Sequence, residues 1–319
     1  MTRALITGIN GFVGGYLAEH LLAATPWEVW GLARTATLTL PNLRERVQPV
    51  VADLRDQAAT TAALRQAQPD VVFHLAGQAH VPTSFANPGE TLVNNLLAQV
   101  HLFEAIRALQ IDPVIVIACT AEAYGAIKPD ELPVNEDTAL RPANPYAVSK
   151  VGQDMLALQY FLAHRLRTIR LRLFNHTGPR QTTEYVLPAF ARQVAQIERG
   201  AQPPLLAVGN LAAQRDFTDV RDVARAYHMA AEHGEAGAVY NVGSGTPTAI
   251  QTLLDQLVDV ACVPITVVPD PNRMRPADVP VVFCDARRFH ACTGWQPEIP
   301  LSQTVSDTLH YWRSTTNDS

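Results

Sequence analysis

Thr7-Gly8-Ile9-Asn10-Gly11-Phe12-Val13-Gly14-Gly15 sets three glycines at fixed spacing between a short apolar run and a helical pattern. Glycine carries no Cβ, so a strand can turn tightly into a helix and aim backbone N–H groups and the helix N-terminus at an anion. Met1-Thr2-Arg3-Ala4-Leu5-Ile6 leads straight into this turn. The position predicts a pyrophosphate cradle at the start of a parallel α/β sheet. Its spacing is GxxGxxG, not the GxGxxG of many dehydrogenases, and glycines also mark ordinary turns. Gly8, Asn10, Gly11, Phe12 and Val13 are the first candidate cofactor residues.

The chain continues in the alternation such a sheet requires. Strands are expected at Ala4–Thr7, Glu28–Leu32, Val47–Ala52, Val71–Leu75, Val114–Ala118, Thr168–Leu173 and Val239–Val242. Pro49 cannot donate to a ladder, which moves the expected start of the third strand to Val50. Helices are expected over Gly14–Ala24, Gln57–Gln66, Thr91–Leu109, Pro145–His164 and Asp219–Ala231. Near-continuous apolar strands indicate burial on both faces. Eight of the 23 prolines fall between Pro247 and Pro300, where a regular sheet is not expected to continue. The predicted fold class is α/β: a Rossmann-type doubly wound parallel sheet with a smaller, mostly C-terminal substrate domain. The expected division is 1–172 with 220–245 for the dinucleotide domain, and 173–219 with 246–313 for the substrate domain.

Composition narrows the partners. The 319 residues carry a net charge of −5 and no lysine/arginine run, which argues against DNA or RNA. No apolar run approaches the roughly 18–20 residues of a membrane helix, and no signal peptide is expected ahead of the first strand. Cys119, Cys262, Cys284 and Cys292 form no CxxC pair, so neither a metal site nor a disulfide framework is expected. The expectation is a cytoplasmic, soluble protein with a small-molecule ligand.

The end of the second strand reads Gly31-Leu32-Ala33-Arg34-Thr35, with an arginine and no acid. An acid would repel a 2′-phosphate and an arginine can pair with it, so NADP(H) is favoured and NAD(H) is the alternative. A solvated surface arginine is the plainer reading. Asp53-Leu54 is placed to meet the adenine, or else to start a helix. Tyr146 and Lys150 stand four apart in a helical pattern and share a face. A lysine cation there would favour phenolate and bring the tyrosine toward acid–base use near neutral pH. Alone, the pair also fits an ordinary surface or core contact.

Together with Thr120 after the fifth strand, these motifs resemble the extended short-chain dehydrogenase/reductase family over essentially the whole chain. The resemblance implies that Thr120 hydrogen-bonds the reacting oxygen, Tyr146 transfers its proton and Lys150 orients the nicotinamide ribose. His74-Leu75-Ala76-Gly77-Gln78-Ala79-His80 resembles the family's HxAA-type loop, with Gly77 in place of the usual alanine, and Asn95 matches a helix asparagine. Leu75 and Ala76 join the candidate cofactor residues. His74 and His80 are equally readable as structural histidines.

The second half is similar to the group acting on GDP-mannose derivatives, which holds a 4,6-dehydratase and a partner reductase forming GDP-D-rhamnose. The matching stretches are Phe174-Asn175-His176-Thr177-Gly178-Pro179-Arg180, Gly209-Asn210-Leu211, Arg215-Asp216-Phe217-Thr218-Asp219-Val220 and Arg275-Pro276-Ala277-Asp278-Val279. The implied substrate residues are Asn175, Arg180, Arg215, Arg275 and Asp278, with the arginines facing pyrophosphate. For each arginine the alternative is an interdomain salt bridge. Glu122 would be the dehydratase base, two residues after Thr120. Ala121, a single arginine after the second strand and Phe217 after Arg-Asp favour the reductase, with the dehydratase as alternative. A GDP-sugar partner and a homodimer through the Thr91–Leu109 and Pro145–His164 helices are implied, although the apolar content of those helices equally fits packing on the sheet. Both ligands are polyanions, so capture must be local, in a positive cleft on a negative surface.

Overall fold

The computed structural model describes residues 1–273 and 279–315. In chain order its first half runs β1 (Arg3–Thr7), α1 (Phe12–Ala24), β2 (Glu28–Ala33), β3 (Gln48–Val51), α2 (Gln57–Ala67), β4 (Val71–His74), α3 (Val81–Ala86), α4 (Pro88–Leu109), β5 (Val114–Thr120), α5 (Pro145–His164) and β6 (Arg167–Leu173). The second half runs β7 (Asn175–Thr177), α6 (Val186–Glu198), β8 (Leu205–Val208), β9 (Gln214–Asp219), α7 (Val220–His233), β10 (Val239–Val242), β11 (Pro247–Ala249), α8 (Ile250–Asp259), β12 (Thr266–Pro269), β13 (Val281–Val282), α9 (Arg287–Thr293) and α10 (Leu301–Thr315).

Seven strands form one parallel sheet in the order β10-β6-β5-β4-β1-β2-β3. The Rossmann-type doubly wound fold expected from the sequence is the one observed. The strand order reverses between β1 and β4, and ligands of such sheets bind in the crevice at the strand carboxyl ends there. Leu17, Ala18 and Leu21 of α1 and Val223, Tyr227 and Ala230 of α7 cover one face. Leu64 of α2, Leu102, Phe103 and Ile106 of α4 and Ala157 of α5 cover the other. Strands β1, β4, β5, β6 and β10 are almost fully buried, which explains their apolar runs, whereas the edge strand β3 is mostly exposed.

Several boundaries differ from the sequence expectation. Pro49 lies inside β3. That strand is the sheet edge, and the Ala52 N–H donates inward to the Ala33 carbonyl. Alternate residues point opposite ways along a strand, so Pro49 turns its missing donor outward, where none is needed. Helix α4 begins at Pro88, three residues early, because proline at the first helical position removes only an N–H that has no helical partner.

The rest of the chain builds two smaller sheets: β11, β9, β13 and β7, and the parallel pair β8–β12. Leu187, Phe190 and Val194 of α6, Leu253 and Leu257 of α8 and Leu309 of α10 form their separate core. One stretch expected in this smaller part packs elsewhere. Phe289 of α9 lies 5.5 Å from the Tyr240 ring of β10, and Trp295 Nε1 donates to the Asp222 carbonyl of α7 at 2.9 Å. Both side chains join the core of the large sheet, because the flank of β10 and α7 would otherwise stand open. Among the described residues, no helix is long and apolar enough to cross a membrane.

Candidate active site

The glycine turn occupies the switch point. Gly8 has φ +74°, and a Cβ on it would lie 2.9 Å from the Ala76 nitrogen, so the turn abuts the Leu75–Ala76 segment at the end of β4. At Gly14 an added Cβ would sit 2.4 Å from the Gly8 carbonyl oxygen. Helix α1 starts at Phe12 with Gly11 as its N-cap; no side chain caps it, and its first turn holds no acid. By contrast, Asp56, Asn144 and Asp219 cap α2, α5 and α7. First-turn N–H groups without a side-chain partner behind a cradle too tight for any Cβ fit a dinucleotide pyrophosphate. Asn10 and Val13 help to shape this end. Asn10 Oδ1 accepts from the Thr39 N–H at 3.0 Å and its Nδ2 donates to the Thr37 carbonyl at 3.1 Å, pinning the loop that follows Arg34. Val13 packs on the core.

Arg34 is exposed just beyond β2. Asp53 does not start a helix; Asp56 does. The Asp53 carboxylate is clamped by Arg55, Nη2 to Oδ2 at 2.6 Å, and that hydrogen bond, with a smaller pull from Arg34, holds it down to about 2. Leu54 is buried in the second core cluster.

Three chain segments converge at the carboxyl end of β5. Thr120 is its last residue, and its Oγ1 accepts from the Glu122 N–H at 3.2 Å. The Tyr146 phenol faces the Thr120 hydroxyl closely enough for that hydroxyl to draw on its acidity. Asn144 Oδ1 caps α5 by accepting from the Ala147 N–H at 2.7 Å, while its Nδ2 donates to Glu122 Oε2 at 3.1 Å. Glu122 is exposed beside the pair. Lys150 Nζ donates to the Ala118 carbonyl at 2.8 Å. Asn95 Nδ2 donates to Ser149 Oγ at 2.9 Å and to the Gln78 carbonyl at 3.0 Å. Gly77, where the family usually has alanine, packs close to this asparagine: a Cβ there would lie 3.1 Å from Asn95 Oδ1.

The ionisation of Tyr146 differs from the sequence expectation. Burial pushes its phenol well above the ordinary value of 10, outweighing the opposing pull of the Thr120 hydroxyl, so it keeps its proton at neutral pH. Lys150 is itself pushed down to about 8 by burial. The pair is therefore arranged to donate a proton rather than to hold a phenolate. His74, pushed down to about 3 by burial and then by Lys150, is a neutral structural residue whose Nδ1 lies 3.0 Å from Thr7 Oγ1. His80 Nδ1 lies 2.9 Å from Thr83 Oγ1 and 3.6 Å from Glu184 Oε1.

The substrate candidates divide. Asn175 is exposed on β7 and Arg215 is half-buried on β9, where its Nη1 donates to the Gln214 carbonyl. Arg180 is engaged elsewhere: its guanidinium grips Glu19 at 2.6 and 2.9 Å and lies 3.7 Å from the Tyr16 ring centroid. That is the interdomain salt bridge weighed above. Arg275 and Asp278 lie outside the described residues. His176 was not singled out from the sequence, yet its ring stacks parallel to Phe12 with centroids 6.3 Å apart. Its place in the Asn175-His176-Thr177 stretch after β6 was the available signal.

Residues 5–308 match the family model for GDP-mannose 4,6 dehydratase. The chain is 38% identical over 314 residues to GDP-6-deoxy-D-mannose reductase of Pseudomonas aeruginosa, covering 98% of this chain and 97% of that one. It is 30% identical over 347 residues to GDP-mannose 4,6-dehydratase of Vibrio cholerae, covering 96% and 92%. Among solved structures, RMD from Pseudomonas aeruginosa complexed with NADPH superposes with a TM-score of 0.88 at 37% identity, covering 98% of this chain and all of that one.

Proposed function

The chain belongs to the GDP-mannose 4,6-dehydratase family of extended short-chain dehydrogenases/reductases, and we propose that it reduces GDP-4-keto-6-deoxy-D-mannose at C4 to GDP-D-rhamnose with NADPH. The observation that carries this reading is the greater likeness to the Pseudomonas reductase than to the Vibrio dehydratase.

The residues present suit each part of the task. The Gly8–Gly14 turn and the α1 N-terminus take the cofactor pyrophosphate, and Arg34 the 2′-phosphate. Arg215 takes the substrate pyrophosphate with Asn175 nearby, and Arg275 and Asp278 are assigned there by motif alone. Bound NADPH supplies the hydride. Tyr146 holds a proton that it passes to the carbonyl oxygen as the alkoxide develops, leaving a C4 hydroxyl. Thr120 hydrogen-bonds that oxygen, and Lys150 keeps a cation in the pocket below pH 8. Preorganised donors and fixed orientation supply most of the acceleration.

Incubation with the 4-keto sugar nucleotide tests the reading: NADPH absorbance falls and GDP-D-rhamnose appears by NMR, and a flat trace overturns it. One observation favours a dehydratase as second reading, namely the exposed Glu122 carboxylate held by Asn144 beside Thr120. That enzyme would release water from GDP-mannose without consuming NADPH, and Glu122→Gln would abolish the reaction.

We further infer a homodimer. Val148, Met155 and Leu162 stand seven apart along α5 at 45%, 39% and 59% exposure, and Val93 of the helix packed beside it, α4, is 56% exposed. This is an apolar stripe on a helix already packed on its sheet. Light scattering should give twice the chain mass, and Leu162→Glu should halve it. Four free thiols suit a reducing cytoplasm.

A further inference from the structure

Behind the active site lies a buried side-chain network that the chemistry above does not use. Tyr146, Lys150 and Asp154 follow one another on α5 at four-residue intervals and share a face. Asp154 is fully buried, and its two oxygens accept from Arg170 Nη1 and Arg172 Nε of β6, each at 2.8 Å. Arg172 reaches further: its Nη1 donates to Tyr124 Oη at 3.0 Å and to the Glu136 carbonyl at 2.9 Å. Tyr124 closes the 3₁₀ turn over Ala121–Ala123, so it lies four residues beyond Thr120 and two beyond Glu122. Its hydroxyl donates to Asn241 Oδ1 of β10 at 2.7 Å. Asn241 is held in turn: its N–H donates to Glu136 Oε1 at 2.8 Å and its Nδ2 to the Val134 carbonyl at 2.9 Å.

Two arginines around one carboxylate are a weak source of stability, since desolvating the charges offsets most of their attraction. What the cluster supplies is geometry. Arg172 Nε fixes the helix that carries Tyr146 and Lys150. Its Nη1 fixes the turn that carries Thr120 and Glu122. A guanidinium is planar, so both are held at a constant angle. We infer that Arg172 is a positioning residue for the reduction: through Asp154 on one side and Tyr124 on the other, it sets the spacing between Thr120 and Tyr146. The inference rests on the reading of Tyr146 and Thr120 given under the proposed function.

Two substitutions test it. Arg172→Lys keeps a cation for Asp154 but cannot also reach Tyr124. Tyr124→Phe keeps the ring and removes only the bridging hydroxyl. A misplacement of under an ångström between reacting groups should cost Arg172→Lys about tenfold and Tyr124→Phe about threefold in kcat. NADPH affinity, read by nucleotide fluorescence, and its KM should stay within about twofold because the glycine turn is untouched. The isotope effect on kcat from NADPH deuterated at the transferred position should rise as chemistry becomes slower.

A purely structural network would lower the melting temperature while leaving kcat per folded site and the isotope effect unchanged, and that result overturns the inference. If Arg172→Lys does not fold, Tyr124→Phe decides alone. Tyr146→Phe is measured alongside. Retained turnover there removes the underlying reading, whereas its loss beside normal Arg172→Lys and Tyr124→Phe removes only the positioning role.

Discussion

On the β5 side of the cleft, Lys150, Thr120 and the start of α5 are each fixed by a hydrogen bond. Lys150 is tied to the Ala118 carbonyl, Thr120 to the Glu122 N–H, and α5 is capped by Asn144. On the β7–β9 side, two arginines with equal standing in the sequence meet different ends. Arg180 is paired with Glu19 and stacked on Tyr16, whereas Arg215 lies on β9 among strands of the smaller sheet. The contrast shows what decides the use of a guanidinium. A motif places a Cα; for Arg180 the Glu19 carboxylate and the Tyr16 ring set where the guanidinium points.

The largest test is Tyr146→Phe. Removing the proton donor should lower kcat by about a thousandfold, within the range for general acids, with NADPH binding intact. A smaller loss would mean that the β5 side is less specialised than its fixed geometry implies. Next comes Arg215→Ala. Losing a charge-assisted contact of about 1.5–3 kcal/mol should raise KM for the GDP-sugar by about 10- to 100-fold, with little change in kcat.

A third test uses pH. Lys150, pushed down to about 8 by burial, loses its charge as pH rises through that value, while Tyr146 keeps its proton. The kcat/KM for NADPH should therefore fall above about pH 8, and the residual activity of Lys150→Arg should lack that limb. Stability should move the opposite way. The unfolded lysine binds its proton up to the ordinary 10.5, so folding gains free energy between pH 8 and 10.5. The smallest expected effect is that of Arg180→Ala, a loss of about 1 kcal/mol in denaturant unfolding with the substrate KM unchanged. A KM rise matching that of Arg215→Ala would erase the distinction between the two arginines.

The sheet was legible because its signals are local: β-branched runs, helical periodicity and a glycine turn that admits no Cβ. The shared face of Tyr146 and Lys150 was legible from their i, i+4 spacing, which is also local, whereas joining Thr120 to them rested on the family resemblance. The protonation of Tyr146 was not legible, since the i, i+4 lysine suggested phenolate, whereas burial, reinforced by Tyr185, Glu122 and Cys119, pushes the phenol up. Nor was the partner of Arg180, because Glu19 stands 161 positions away. Arg170 and Arg172, alternating within a buried strand, and Asp154, one turn beyond Lys150, did carry a signal. Charges at core positions require partners of opposite sign.

At the far edge of the large sheet, Pro49 has a consequence for how molecules meet one another. An edge strand ordinarily offers a row of open donors and acceptors on which a foreign strand can dock. β3 is four residues long and presents its outward side through Pro49 and Val51, the latter 54% exposed. With no donor at Pro49, that short row loses one of its two N–H groups, so an incoming strand cannot build a continuous ladder. The proline that looks out of place in a strand therefore interrupts the edge at which two molecules could pair strand to strand.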